Sequence, residues 1–178
     1  MSTLIAFIGV GNMGCPMAEN LMKAGQNVKV FDVSKKMLEI AKDKNLKIAE
    51  NLSDLITGDV GTVITMLPEG KHSKEVYLGE NGIIDKVSEN CLLIDCSTID
   101  IQTSIEIGKK ASEKNIDMID APVSGGVMGA QKAILNIMVG GPKEAFEKAL
   151  PLLKIMGKNI FHAGELGSGN GAKICNNM

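Results

Sequence analysis

Short apolar runs alternate along this chain with longer segments in which apolar positions recur every three or four residues. The runs "LIAFIG" (4–9), "NVKVFD" (27–32), "TVITML" (62–67), "CLLIDC" (91–96), "IDMIDA" (116–121), "ILNIMVGG" (134–141) and "KNIFHAG" (158–164) predict strands, with a weaker one near Leu46 to Ala49. Segments 13–25, 34–44, 70–78, 101–114 and 143–156 carry helical periodicity, and the first places Met17, Leu21 and Ala24 on one side. Gly25 is expected to close that helix, and Asp32–Ser34 offers a turn and a cap before the next. Strand, helix and strand repeated in this way predict an α/β fold, a doubly wound and mainly parallel sheet with helices on both faces. The strands are nearly continuous apolar runs, as a sheet buried on both sides requires.

Composition narrows the function classes. A chain of 178 residues, 44% of them hydrophobic, is long enough for one sizeable core. Nineteen basic residues against twenty-one acidic ones leave a formal charge of −2, so neither nucleic acid nor an anionic membrane is an expected partner. No apolar stretch reaches the length of a transmembrane helix, and the N-terminus reads as neither signal nor transit peptide. Cys15, Cys91, Cys96 and Cys175 lack metal-ligand spacing. They are expected to be buried or partly buried free thiols of a reducing compartment, with no metal. The expected location is the cytoplasm, or the mitochondrial matrix if a presequence has been removed. The sequence stops at Met178 inside what reads as the opening of another helix, and is expected to be a piece of a longer protein.

Chemistry enters at "FIGVGNMG", where Gly9, Gly11 and Gly14 fit G-x-G-x-x-G. That pattern alone equally describes a glycine turn after a strand. Its setting is more specific: it ends the first strand, opens the first helix, and is followed eighteen residues after Gly14 by Asp32 at the end of the second strand. A dinucleotide site needs that arrangement. Gly9 permits the tight turn, Gly11 lets a pyrophosphate approach the backbone, and Gly14 allows close helix–strand packing. Val10, Asn12 and Met13 complete the loop, and the amides of Asn12 and Met13 would face the phosphates from the positive end of the helix. Asp32, with Val33 beside it, would accept hydrogen bonds from the adenosine ribose. A 2′-phosphate there would meet a carboxylate, a like-charge contact costing on the order of 3–4 kcal/mol. With no arginine following, the expected cofactor is NAD.

Six motifs lie in register along the chain: "FIGVGNMGCPMAENLMKAG", "ITMLPEG", "DCSTID", "DAPVSGGVMGAQ", "IMVGG" and "GELGSGNGAKICNNM". Together they resemble the β-hydroxyacid dehydrogenases over the whole chain, and "AKICNNM" is most similar to the branch that acts on 3-hydroxyisobutyrate. The resemblance implies a Rossmann-type NAD-binding domain over 1–164. Residues 165–178 would start an interdomain helix, with a second, helical domain absent from this chain. It implies that Met66, Leu67 and Pro68 line the cofactor, that Thr98 sits near the nicotinamide ribose, and that Ser124, Gly125 and Gly126 bind the substrate carboxylate. Read without it, Thr98 is an N-cap for the helix near Ile101, and "SGG" is a loop or cap. Lys173 would be the catalytic residue, exchanging a proton with the substrate hydroxyl, and Asn177 would orient the substrate from the same helix face.

Three departures stand out. His72 occupies a position where the family commonly has an asparagine contacting the cofactor; otherwise it reads as a surface helix histidine. Ala133 and Ile134 replace a glycine and a small polar residue, with Ile134 expected to fill the core. The helical domain that in the family completes the site and makes dimer contacts is expected to be absent from this chain, and the full-length protein that carries it is expected to be a homo-oligomer. This chain alone is expected to be nearly inactive, with Lys173 exposed on a frayed helix. The implied activity is NAD-dependent oxidation of 3-hydroxyisobutyrate, a small hydroxy acid, to methylmalonate semialdehyde, as in valine breakdown. The alternatives are a related reductase of tartronate, glyoxylate or succinate semialdehyde, or an NAD-binding module without turnover.

Overall fold

The computed structural model describes residues 3–177, the last of these by its backbone alone. β1 (Leu4–Ile8), β2 (Val28–Phe31), β3 (Lys47–Ile48), β4 (Val60–Thr65), β5 (Leu92–Asp95) and β6 (Asp117–Asp120) run parallel in the spatial order β3-β2-β1-β4-β5-β6. The order reverses between β1 and β4, and in such sheets ligands enter the crevice beyond the carboxyl ends of those two strands. β7 (Val123–Ser124), β8 (Leu135–Gly140) and β9 (Gly157–Gly164) extend the sheet, with β8 antiparallel to β6 and β7 but parallel to β9. The pairs Asp120↔Gly140, Val123↔Ile137 and Ser124↔Asn136 share one register, so β6 and β7 form a single interrupted edge along β8. Pro122, which has no amide to donate, stands at the break and accepts from the Met138 amide at 3.1 Å.

The sheet is covered on both faces. Along β1, Ile5 and Phe7 join one apolar cluster while Leu4, Ala6 and Ile8 join the other, the period of two that a pleated strand imposes. The first cluster is sealed by α1 (Gly14–Lys23), α2 (Lys35–Asp43), α6 (Gly126–Gln131) and α7 (Lys143–Met156). The second is sealed by α3 (Leu52–Leu55), α4 (Gly70–Leu78), α5 (Ile101–Ser112) and a 3-10 turn at Ile83–Asp85. A last helix, α8 (Ser168–Asn177), packs against β8, β9, β6 and α5. Among the described residues no helix is long and apolar enough to cross a membrane.

Several local expectations change. On α1, Cys15, Met17, Ala18 and Leu21 are buried, but Ala24 is the exposed C-cap, so the apolar side ends one turn early. Ile134 is 49% exposed rather than in the core; the buried position is Leu135, its neighbour on β8. Cys15, Cys91 and Cys96 are buried, whereas Cys175 is exposed. Asp100, not Thr98, caps α5, accepting from the Thr103 amide at 2.8 Å. The elements α3, α6, β7 and the 3-10 turn lack a sequence signature because none is long enough to show a period.

Four helices end in one geometry, and it explains the departure at Ala133. After α1, α2, α5 and α6 the chain makes paired bonds back to the last turn: Gln26 to Leu21, Leu46 to Ala41, Ile116 to Ala111 and Ile134 to Gly129. This Schellman ending puts the residue before each donor in the left-handed region. Those residues are Gly25 (φ 85°), Asn45 (φ 63°), Asn115 (φ 56°) and Ala133 (φ 55°). Glycine and asparagine tolerate that conformation, but alanine is strained there by about 1–2 kcal/mol. Ala133→Gly is therefore expected to stabilise the fold by about 0.5–1 kcal/mol after the entropy of the glycine is counted. Thermal or urea unfolding reads this directly, and a lower midpoint for the variant would refute it.

Candidate functional site

The glycine loop joins β1 to α1 at the sheet's switch point, and its glycines are required for different reasons. Gly9 has φ 92°, and a Cβ there would collide with the Met66 carbonyl. A Cβ on Gly14 would collide with the Gly9 carbonyl, so the helix starts in backbone contact with the turn. A Cβ on Gly11 would meet nothing within 4 Å. The protein does not fill that space; it is open backbone facing a cleft. Among the described residues the amides of Asn12 and Met13 have no protein acceptor, as the first turn of a helix leaves them.

The cleft has a volume of about 530 Å³. It brings together Gly9, Gly11, Asn12, Met13, Gly14, Asp32, Val33, Met66, Leu67, Pro68 and His72. Val10 is buried and contributes its amide, which donates to Asp32 Oδ2 at 2.9 Å. Asp32 Oδ1 accepts from the Ser34 amide at 2.8 Å. Each carboxylate oxygen keeps a lone pair free, so Asp32 both fixes the loop and faces the cleft with acceptors to spare. Val33 is 92% exposed, a residue left bare on the rim. His72 is half-buried with its Nδ1 enclosed and lacking a hydrogen-bond partner among the described residues, unlike a surface histidine. Leu52, Glu75, Val76 and Asn81 also line the cleft and were not picked out by sequence. Glu75 and Val76 follow His72 by three and four positions, a helix-face relation that could have found them. An open glycine backbone, free helix-start amides and a strand-end carboxylate fit a dinucleotide.

Thr98 is exposed and lies outside the residues lining this cleft. Ser124 ends β7, and Gly125 (φ 136°) and Gly126 (φ 63°) follow it as exposed residues entering α6. The side chain of Asn177 lies outside the described residues. Lys173 is only 8% exposed on α8, against the expectation of an exposed group on a frayed end. The helix is held along its length by sheet and α5, and among the described residues no carboxylate pairs with the lysine.

Sequence reasoning also passed over a polar row across the carboxyl ends of the strands. Thr65, Asp95, Asp120 and Gly140 are successive partners on β4, β5, β6 and β8. Thr65 Oγ1 donates to Asp95 Oδ1 at 2.9 Å and meets the Tyr77 hydroxyl at 2.8 Å. Asp95 Oδ1 also accepts from the Ser97 amide, and Ser97 Oγ accepts from the Leu67 amide at 2.8 Å. The chain after β5 is thereby tied to the Met66–Pro68 wall. Burial holds the Asp95 carboxyl above the ordinary carboxylate range, against hydrogen bonds from Ser97 and Thr65 that favour its charge.

Comparison with known proteins agrees with this geometry. Residues 4–164 match the family described as the NAD binding domain of 6-phosphogluconate dehydrogenase. The chain is 48% identical to 3-hydroxyisobutyrate dehydrogenase of Pseudomonas aeruginosa over 99% of its own length and 59% of that protein's. It is 44% identical to the NAD-dependent L-serine dehydrogenase of the same organism, covering 98% of the chain and 58% of that protein. The solved structure of Mycobacterium tuberculosis 3-hydroxyisobutyrate dehydrogenase with L-serine superposes with a TM-score of 0.93 at 37% identity, covering 99% of this chain and 60% of that one. The chain thus spans little more than half the length of these relatives.

Two outcomes follow from the cleft and the row. Asp32→Ala removes the Val10 anchor and an acceptor facing the cleft, so NADH affinity should fall about tenfold or more and NADPH affinity less if that acceptor meets the ribose. Calorimetric titration of each cofactor checks it; equal affinity of the unchanged protein for both would sink the role of Asp32. For Asp95, a carboxyl raised in the folded state subtracts nothing below its unfolded pKa, and subtracts increasingly as pH climbs through the folded one. Urea midpoints at about pH 4 and about pH 7 should therefore shift in favour of Asp95→Asn at the higher pH. A difference between the two proteins that does not change with pH contradicts this.

Proposed function

The chain belongs to the family of the NAD-binding domain of 6-phosphogluconate dehydrogenase. From that premise we propose that it is the cofactor-binding part of an NAD-dependent β-hydroxyacid dehydrogenase oxidising 3-hydroxyisobutyrate to methylmalonate semialdehyde, as in valine breakdown. The observation that carries this reading is Lys173, a buried lysine without a carboxylate partner among the described residues. Lysines are almost never buried unless paired, so a buried lysine without a carboxylate partner is a candidate for proton transfer. The names of relatives at 43–48% identity support the same reaction.

NAD, when bound, supplies the acceptor for the hydride. The chain's own residues do the rest. The glycine loop and Asp32 hold the dinucleotide at the switch point. Thr98, exposed on the loop after β5, would stand beside the nicotinamide ribose. Ser124, through its hydroxyl, and Gly125 and Gly126, through exposed amides, hold the substrate carboxylate. Lys173 Nζ takes the proton of the substrate hydroxyl as the alcohol becomes an aldehyde. Burial excludes water from that amine and keeps the proton transfer directed.

A second substrate has a specific observation behind it. One relative is named an NAD-dependent L-serine dehydrogenase, and one solved neighbour is a complex with L-serine. Serine and 3-hydroxyisobutyrate differ at one position, an ammonium against a methyl on the carbon between hydroxymethyl and carboxylate. An apolar subsite rejects the ammonium, whereas one with an acceptor keeps it.

The test is NADH formation by the full-length protein with 3-hydroxyisobutyrate or L-serine, and NADH consumption with the semialdehydes in the reverse direction. Expected is a kcat/KM for 3-hydroxyisobutyrate at least about tenfold above that for L-serine. Lys173→Ala should lower kcat by about 10²–10⁴-fold while leaving NADH binding within about threefold. Near-normal turnover by that variant would remove Lys173 from the chemistry.

A further inference from the structure

Asp120 is a buried carboxylate that neither the cofactor cleft nor the proposed chemistry uses. Its Oδ1 accepts from the Gly167 amide at 2.7 Å, and its Oδ2 accepts from the Asn170 amide at 2.7 Å and from Asn170 Nδ2 at 3.3 Å. Gly167 and Asn170 frame the first turn of α8, so Asp120 is that helix's N-cap. A cap from a neighbouring residue fixes only where a helix begins. This one comes from the end of β6, 47 and 50 positions away, and it fixes the helix relative to the sheet.

Asn170 adds two more anchors. Its Oδ1 accepts from the Ile99 amide at 3.0 Å, and its Nδ2 donates to Ser104 Oγ at 3.0 Å. One side chain thus touches β6, the loop that carries Thr98, and α5. Anchors on three elements set the rotation of α8 about its axis as well as its position. The seat leaves no slack: a Cβ on Gly140 would run into Asp120 Oδ1, and one on Gly169 into the carbonyls of Met138 and Asp120. Asn170 is itself fully buried.

We propose that Asp120 and Asn170 are positioning residues that set where Lys173 stands relative to the Thr98 loop. Lys173 follows Asn170 by three residues, hence on the same side of the helix and about 4.5 Å further along it. A rotation at Asn170 is carried directly to the lysine. The Ile99 bond means that the same amide side chain also registers the segment beside the nicotinamide ribose. The proposal rests on the reading of Lys173 as the proton-transfer group.

Burial holds the Asp120 carboxyl above the ordinary range, and the amides of Asn170 and Gly167 oppose that by favouring its charge. The nearby buried carboxyl of Asp95 adds repulsion. The remote carboxylate is what a fixed geometry needs and what helix formation alone does not.

Steady-state kinetics of the full-length protein test this, together with acetylation of Lys173 followed by mass spectrometry in the NAD-bound state. Asn170→Ala should lower kcat about 30-fold or more, with substrate KM and NADH Kd held within about threefold, since misplacing a reacting group costs rate rather than binding. Lys173 acetylation should quicken several-fold. Ser104→Ala, which removes one anchor, should show the same pattern at about a fifth to a tenth of full kcat, and it decides if Asn170→Ala does not fold. A folded variant with kcat within threefold of the unchanged protein and unaltered acetylation overturns the proposal. Lys173→Ala run in parallel separates the two readings. Turnover surviving in Lys173→Ala refutes the catalytic lysine, and acetylation then still reports whether Asn170 positions it.

Discussion

Where parallel strands run out, the loops that follow lose their sheet partners, and in a doubly wound fold those loops are also where a ligand is admitted. Their amides must be held by something that leaves the crevice open. This protein uses a strand-end aspartate three times. Asp32 follows β2 and holds Val10 and Ser34; Asp95 ends β5 and holds Ser97 and Thr65; Asp120 ends β6 and holds Gly167 and Asn170. A carboxylate accepts several charge-assisted bonds at once, which suits a loop that no sheet ladder reaches. The three differ in burial, and the difference tracks their work. Asp32, partly exposed, shares its oxygens with the cleft. Asp95 and Asp120 are sealed and act only on the protein.

The same three residues show how far the sequence could be read. Strand and helix order, and hence the parallel sheet and its switch point, were legible because short continuous apolar runs alternate with longer segments of period three to four. Asp32 was legible because a glycine pattern points to it at a known spacing. Asp95 and Asp120 sat in the quoted motifs "DCSTID" and "DAPVSGG" without a role. Their partners are distant in sequence, Asn170 in Asp120's case, and no local pattern marks a bond across 50 positions. The repeated position, an aspartate closing an apolar strand, was the available signal.

The errors at the chain's edges share a cause. Ala24 reads from periodicity as part of the apolar side of α1, Ile134 reads from its apolar character as core, and Lys173 reads as exposed on a fraying helix end. The structure reverses all three, since tertiary placement outranks residue type wherever an element ends or packs end-on. Ala133 is the opposite case. Its departure from glycine is legible as a family difference, and the backbone supplies the physical meaning, a left-handed helix ending that alanine occupies under strain.

The proposed chemistry needs two groups in register, a nicotinamide presented by the first half of the sheet and an amine presented by α8. They are carried by segments far apart in the chain, so local structure cannot align them. Two features can. The first is the parallel register that sets Asp95 beside Asp120, which fixes the ends of β5 and β6 to a common level. The second is Asn170, which joins the start of α8 to the amide next to Thr98. A sheet register moves only by whole residues, and a fully buried amide with each bond satisfied has no alternative partner nearby. The alignment is therefore set by discrete contacts rather than by the average of many soft ones. That is the kind of placement a proton and a hydride leaving the same carbinol require, because a reacting atom displaced by about 1 Å already loses much of its rate.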